Sequence, residues 1–205
     1  MNSPKEQNKQ LGTSLWKNFY KEWGEPALVA FLVVFFIIRP FFLQAFKIPT
    51  GSMIPTLLVK DRLIVDKWTY GARVPFTKTA RLPGIGEMKR GDIIVFKYPE
   101  EPKKDYIKRL IAFGGETVEI RNGDIYIDGK EVDHPDIKKI YYYNRGDYGT
   151  FGEPVTVPKG SVYVLGDNSA SSADSRYWGF VPEENIIGRA DLIFWPIERI
   201  RFLFL

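Results

Sequence analysis

Residues 48–57 read Ile-Pro-Thr-Gly-Ser-Met-Ile-Pro-Thr-Leu, with a serine, Ser52, at the centre of a turn-forming stretch. Pro49 and Pro55 fix their own φ, and Gly51 permits backbone conformations closed to other residues, so the hydroxyl is expected in an irregular but rigid turn of the kind that presents a nucleophile. Alone, the pattern describes ordinary loops more often than nucleophiles. A serine nucleophile needs a base, and here the composition narrows the choice. The chain has no cysteine and one histidine, His134, which lies in the polar segment Glu131-Val-Asp-His-Pro-Asp, an unpromising place for a triad member. A lysine can serve if burial among apolar groups holds its amine neutral. Lys108, in Tyr106-Ile-Lys-Arg-Leu-Ile-Ala-Phe, has Tyr106 and Leu110 on its own strand face, with Ile107 and Ile111 in the same run. The competing reading is a lysine at a strand end with its head in water, the commoner fate of any single lysine.

Positioning these groups requires a frame, and the chain supplies one in short β-branched runs. Residues 62–68, 92–98, 106–113, 117–121, 124–128, 161–165 and 188–196 read as strands, and Asn122-Gly123 between two alternating runs is a hairpin signal. An aromatic content of 15% fits the same β-rich body. Residues 133–155 are polar and tyrosine-rich and read as an excursion. Before the serine, residues 27–46 are almost wholly apolar, interrupted by Arg39, Pro40 and Gln44, and 20 residues at about 1.5 Å each nearly cross a hydrocarbon layer. A buried core helix and a cleavable signal peptide are the alternatives. The long polar segment ahead of the run and Lys47-Ile48-Pro49 behind it favour an uncleaved anchor. Lys5, Lys9, Lys17 and Lys21 place the N-terminus on the cytoplasmic side. The expected organisation is a tail over 1–25, a transmembrane segment over 26–46, and an extracytoplasmic catalytic domain over 47–205 with a small insertion near 117–160. A net charge of +4, spread without an arginine-rich stripe, excludes nucleic acid as the expected partner.

Four motifs in order resemble the bacterial type I signal peptidases, membrane-anchored serine-lysine proteases. Gly51-Ser52-Met53-Ile54-Pro55-Thr56 resembles the nucleophile box and Arg90-Gly91-Asp92-Ile93-Ile94-Val95-Phe96 the core strand. Tyr106-Ile107-Lys108-Arg109 resembles the general-base box, and Gly166-Asp167-Asn168 with Ser172-Ala173-Asp174-Ser175-Arg176-Tyr177-Trp178-Gly179 the last box. The resemblance covers most of residues 26–196. It implies a mainly β fold of coiled, barrel-like antiparallel sheets after one N-terminal transmembrane helix.

By the same resemblance Ser52 is the nucleophile, Lys108 the base, and Thr50 an oxyanion donor beside the Ser52 N–H. Ser172 would hydrogen-bond and orient Lys108, and Asp174 and Arg176 would pair to hold their loop. Phe46, Ile48, Pro49, Met53, Leu57, Leu63, Val95 and Ile107 would line shallow pockets for small residues at the cleavage site. No metal or cofactor is implied. The partners would be exported preproteins with Ala-x-Ala-like sites and the bilayer of the bacterial plasma membrane. Ala112-Phe113-Gly114-Gly115-Glu116 departs from the family's Gly-x-Pro-Gly-Asp and puts the turn there in question. A self-cleaving repressor-type protease shares such a dyad, but the apolar run and the lack of a DNA-binding helix pair argue against it. A non-catalytic tethered β domain would leave the joint presence of Ser52, Lys108 and Ser172 unexplained.

Overall fold

A computed structural model describes residues 20–35, 43–71, 77 and 81–203. The chain divides into two compact units, residues 1–41 and 42–205. In the first, a π-helical turn at Tyr20–Gly24 leads into helix α1, Glu25–Val33, with a proline in its first turn, a position where the missing N–H costs nothing. Leu28, Val29, Phe31 and Leu32 on α1 are all exposed. Among the described residues no helix is long and apolar enough to cross a membrane. Residues 36–42, the middle of the apolar run, lie outside the described residues, as do residues 1–19.

The second unit is built almost entirely from antiparallel strands. In chain order they are β1 (Leu43–Lys47), β2 (Arg62–Asp66), β3 (Ile93–Lys97), β4 (Asp105–Phe113), β5 (Thr117–Arg121) and β6 (Asp124–Ile127). Then follow β7 (Lys130–Glu131), β8 (Val155–Thr156), β9 (Ser161–Leu165), β10 (Val181–Pro182), β11 (Ile186–Trp195) and β12 (Arg201–Phe202). The larger sheet runs β1-β2-β11-β3-β4-β9-β10 with β12 added to β11, and the smaller runs β7-β6-β5-β8. Register shifts in β11 at Ala190/Leu192 and Ile193/Trp195, and in β4 at Leu110/Ala112, mark bulges that bend strands and sharpen twist. The larger sheet therefore curls.

β1 corrects the sequence expectation that the transmembrane segment extends to Phe46. Leu43, Gln44, Ala45, Phe46 and Lys47 pair with Asp66 through Arg62 as an edge strand. An apolar run does not by itself separate helix from strand, and here the pairing partner decides.

Strand alternation sorts the core. Ile93 and Val95 of β3 face one cluster with Met53, Leu57, Leu63, Val65 and Ile193, while Ile94 and Phe96 face another with Leu110, Val164 and Ile186. The smaller sheet has a third cluster, in which Val118, Ile120, Ile125 and Ile127 meet Ile111, Tyr163 and Leu165 of the larger one. The expected insertion near 117–160 is thus a small sheet with its own apolar face. The departing 112–116 segment forms a tight turn. Gly115 has φ +95°, and the Glu116 carboxylate accepts from the Phe113 N–H at 2.7 Å and pairs with Arg90 at 2.7 Å. A side chain at Gly114 would stand 2.8 Å from the Pro158 carbonyl oxygen, so that position must be bare.

Candidate active site

The turn carrying Ser52 is set by the chain leaving β1. The Ile48 N–H donates to the Asp61 carbonyl at 2.9 Å and the Lys60 N–H to the Ile48 carbonyl at 2.9 Å, closing a loop whose own bonds run from Ile54 to Gly51 and from Leu57 to Met53. Met53 and Leu57 are fully buried, so apolar burial anchors the loop on both sides of its polar centre. Lys108 comes from β4, in register with Ile94 of β3. Its Nζ lies 2.7 Å from Ser52 Oγ and donates to the Ile107 carbonyl at 3.0 Å. The Tyr106 ring centroid is 5.5 Å from Nζ.

Lys108 is 4% exposed. Burial strips water from its ammonium and lowers its pKa from 10.5 to about 8, against the opposing pull of the Asp174 and Asp167 carboxylates. Arg176 adds to the lowering. A serine hydroxyl at hydrogen-bond distance from an amine that sheds its proton near neutrality is the arrangement a serine-lysine nucleophile requires.

A second layer of bonds fixes the Ser52 loop against the segment that follows β9. The Asn168 N–H donates to the Ser52 carbonyl at 3.0 Å, and its side-chain amide donates to the Gly51 carbonyl at 3.0 Å. Thr56 donates its hydroxyl to Asp167, whose carboxylate is held bidentately by Arg109 at 2.8 and 2.6 Å. Arg109 is 1% exposed and Asp167 4%, a buried pair whose guanidinium also donates to the Gly91 carbonyl and Thr56 and lies 3.6 Å from the Asp136 carboxylate. Gly166 is packed so closely that a side chain there would come within 2.5 Å of the Ser52 carbonyl oxygen. Sequence reasoning placed Gly166-Asp167-Asn168 in a box but assigned no role to Asn168, Asp167, Arg109 or Thr56. The available signal was a polar triplet at the end of an apolar strand.

Asp174 and Arg176 are both fully buried and joined by two bonds of 2.8 Å. Asp174 also caps the short helix α3, Ser175–Trp178, and accepts from the Gly166 N–H at 3.0 Å. Arg176 reaches back to the Tyr143 carbonyl, the Ser169 hydroxyl and the Ser169 carbonyl. Ser172 departs from expectation: its hydroxyl is buried and has no hydrogen-bond partner, Lys108 included. Lys108 satisfies itself with Ser52 and its own strand instead.

The cleft beside Ser52, about 230 Å³, is lined by Pro49, Thr50, Tyr106, Ile107, Lys108, Ser171 and Ala173, among others. Of the eight residues expected to line the substrate pockets, Pro49 and Ile107 do so. Ile48, Met53, Leu57, Leu63 and Val95 are at most 3% exposed and pack behind the site, with Phe46 against them. Apolar side chains on the inner strand face go to the core first, leaving the cleft wall to strand and loop edges. His134 stands apart from this cleft. Its Nδ1 accepts from the Asp136 N–H at 3.2 Å and so caps helix α2, Pro135–Lys138.

A family model described as "Signal peptidase, peptidase S26" matches residues 20–195. The chain is 37% identical over 192 residues to a probable signal peptidase I-2 of Synechocystis sp., which covers 91% of this chain and 78% of that one. It is 34% identical to signal peptidase I T of Bacillus subtilis, with 98% of each chain covered. With a signal peptidase I of Leptolyngbya laminosa the identity is 41% over 80% of this chain and 74% of the relative.

Proposed function

The chain belongs to the S26 family as a bacterial type I signal peptidase, and from that premise we propose that it cleaves signal peptides from exported preproteins with Ser52 as nucleophile and Lys108 as general base. The observation that carries this reading is the 2.7 Å approach of Lys108 Nζ to Ser52 Oγ inside a site that lowers the amine's pKa to about 8. In the reaction Ser52 Oγ attacks the carbonyl carbon of the scissile bond while its proton passes to the Lys108 lone pair. The oxyanion that forms is met by the Ser52 N–H, which finds no acceptor among the described residues, and by the Thr50 hydroxyl at the cleft rim. The Lys108 ammonium then gives its proton to the departing amine of the mature chain, leaving the signal peptide as an ester on Ser52. Neutral Lys108 next takes a proton from a water as its oxygen attacks the ester carbonyl; the bond to Ser52 Oγ then breaks, the Lys108 ammonium returns the proton to Ser52, and the signal peptide leaves with a C-terminal carboxylate. Ser172, a buried hydroxyl without a partner, supplies the acceptor that the ammonium gains once Ser52 has lost its proton.

The Asn168 bonds to the Gly51 and Ser52 carbonyls hold the Ser52 loop in place, which leaves the Ser52 N–H free for the oxyanion. Asp174 and Arg176 hold the loop that carries Ser172 and Ala173. No step calls on a metal or cofactor. The apolar run around 26–46 tethers the catalytic unit to the outer face of the plasma membrane, with residues 1–25 in the cytoplasm, and the span ends before β1 begins at Leu43. Ile107 and Pro49 give the cleft shallow apolar ground suited to small residues at the first and third positions before the cut, presented by an extended substrate strand. The test is incubation of the detergent-solubilised chain with a precursor whose signal ends in Ala-x-Ala, with sequencing of the new N-terminus. Cleavage after the second alanine is expected, and its absence would overturn the assignment.

A further inference from the structure

The tyrosine-rich stretch 141–151 has no part in the chemistry above, yet it is built onto the wall of the cleft. The Tyr143 N–H donates to the Ser169 hydroxyl at 2.9 Å, and Arg145 Nη1 donates to the Ala170 carbonyl at 2.7 Å. Ser171, next in sequence, lines the cleft together with Ala173. Tyr141 is 59% exposed and Tyr143 44%, their rings 5.0 Å apart in an edge-to-face arrangement, and the Arg145 guanidinium lies 5.2 Å from the Tyr143 centroid. Among the described residues no carboxylate pairs with Arg145. From the rim at Ser171 the surface thus continues through Ala170 and Arg145 to two aromatic faces. The backbone beneath these groups is anchored: Arg176, itself fully buried, donates to the Tyr143 carbonyl at 2.9 Å and the Tyr148 N–H donates to the Arg176 carbonyl at 2.9 Å.

The lining of the cleft is of two origins. Pro49, Tyr106 and Ile107 supply apolar groups from the Ser52 loop and β4, with Asp105 beside them. Ser171 and Ala173 come from the segment after β9, whose Ala170 carbonyl accepts from Arg145 and whose Ser169 hydroxyl accepts from the Tyr143 N–H. We propose that Tyr141, Tyr143 and Arg145 form a docking platform for the first residues of the mature chain beyond the scissile bond, and that the platform favours an extended segment carrying an acidic side chain. Tyrosine faces give contact area at low entropic cost to a peptide of varied sequence, and the arginine supplies selectivity for a carboxylate. This proposal rests on the reading of Ser52 and Lys108 as the cleavage site.

The test uses the full chain in detergent with synthetic substrates sharing one signal-side sequence. One ends two residues after the cut. Others extend six residues further, with a single glutamate moved through the third to sixth positions or with serine throughout. The expected result is that kcat/KM is about two- to five-fold higher for the best glutamate peptide than for its serine counterpart, the size of an exposed ion pair. Arg145→Gln keeps a donor for the Ala170 carbonyl but removes the charge, and should erase that gain while leaving the two-residue substrate unchanged. Tyr143→Ala should weaken every extended peptide, mainly through KM, with the short one unaffected. Equal losses on short and extended peptides, or no gain from glutamate at any position, would overturn the platform. A wild-type chain that cleaves none of the peptides would overturn the proposed function and the platform with it.

Discussion

The proposed role of Lys108 can be made quantitative, because the charge state of a general base limits the rate. At its ordinary pKa of 10.5 the amine would be neutral in roughly one molecule in three thousand at pH 7, whereas at about 8 it is neutral in roughly one in ten. The structural cause is burial, with Nζ enclosed by Ser52, the Ile107 carbonyl and the Tyr106 ring. The free-enzyme profile, kcat/KM against pH, should therefore rise about tenfold per unit up to pH ~7.5 and level off above pH ~9. The same shift is a statement about folding. The folded pKa lies below the unfolded value, so between pH 8 and 10.5 the unfolded chain binds more protons and stability rises with pH; below pH 8 the group carries a constant penalty of about 3 kcal/mol. Lys108→Met removes both effects. It should be inactive at every pH, and its denaturant midpoint should lose the part of the pH dependence that the wild type shows between 8 and 10.5. The assays are peptide cleavage and chemical denaturation followed by circular dichroism. A kcat/KM profile that is flat from pH 6.5 to 8.5, or that keeps rising tenfold per unit to pH ~10 with no levelling above ~9, would refute the reasoning, as would an active Lys108→Arg enzyme, since a guanidinium keeps its proton throughout.

Other residues give separate tests. Thr50→Val keeps the shape but removes the proposed oxyanion donor, and kcat should fall about 10²–10³-fold with KM little changed; wild-type turnover would remove Thr50 from the oxyanion site. Asn168→Ala frees the Gly51 carbonyl and should lower kcat while leaving the Lys108 limb of the pH profile where it is; a displaced limb would show that Asn168 acts on the base instead. Asp174→Ala strands a fully buried guanidinium and should cost about 3–5 kcal/mol, read as a lower denaturant midpoint. Ser172→Ala deletes a hydroxyl that has no partner, so stability should hold while turnover slows; a large loss of stability would mean that the hydroxyl is satisfied in solution.

The parts of the molecule that could be read from sequence are those governed by local periodicity. β-Branched alternation located β2 to β6, β9 and β11 but not the edge strand β1 or the two-residue strands β7, β8, β10 and β12, and Asn122-Gly123 marked the β5–β6 turn, where both residues take positive φ. The opposite case is Leu43–Lys47. It continues an apolar run whose hydropathy fits a membrane helix, and only its pairing with β2, residues away in sequence, makes it a strand. The pocket residues failed to separate for a related reason. Met53, Leu63 and Val95 are as apolar as Ile107, and sequence does not say which of two apolar faces meets the core and which the cleft. Buried charge is equally silent in sequence. Arg109 and Asp167 stand 58 positions apart, and nothing local marks them as partners beneath the Ser52 loop.

The central claim is that Ser52 itself takes the acyl group. It is tested most directly by quenching the reaction in acid within the first turnover and mapping the enzyme by mass spectrometry. The account predicts that the peptide containing Ser52 gains the mass of the signal segment less one water, and that Ser52→Ala shows neither this adduct nor release of the mature chain. An adduct on any other residue, or processing by Ser52→Ala at the wild-type rate, would contradict it.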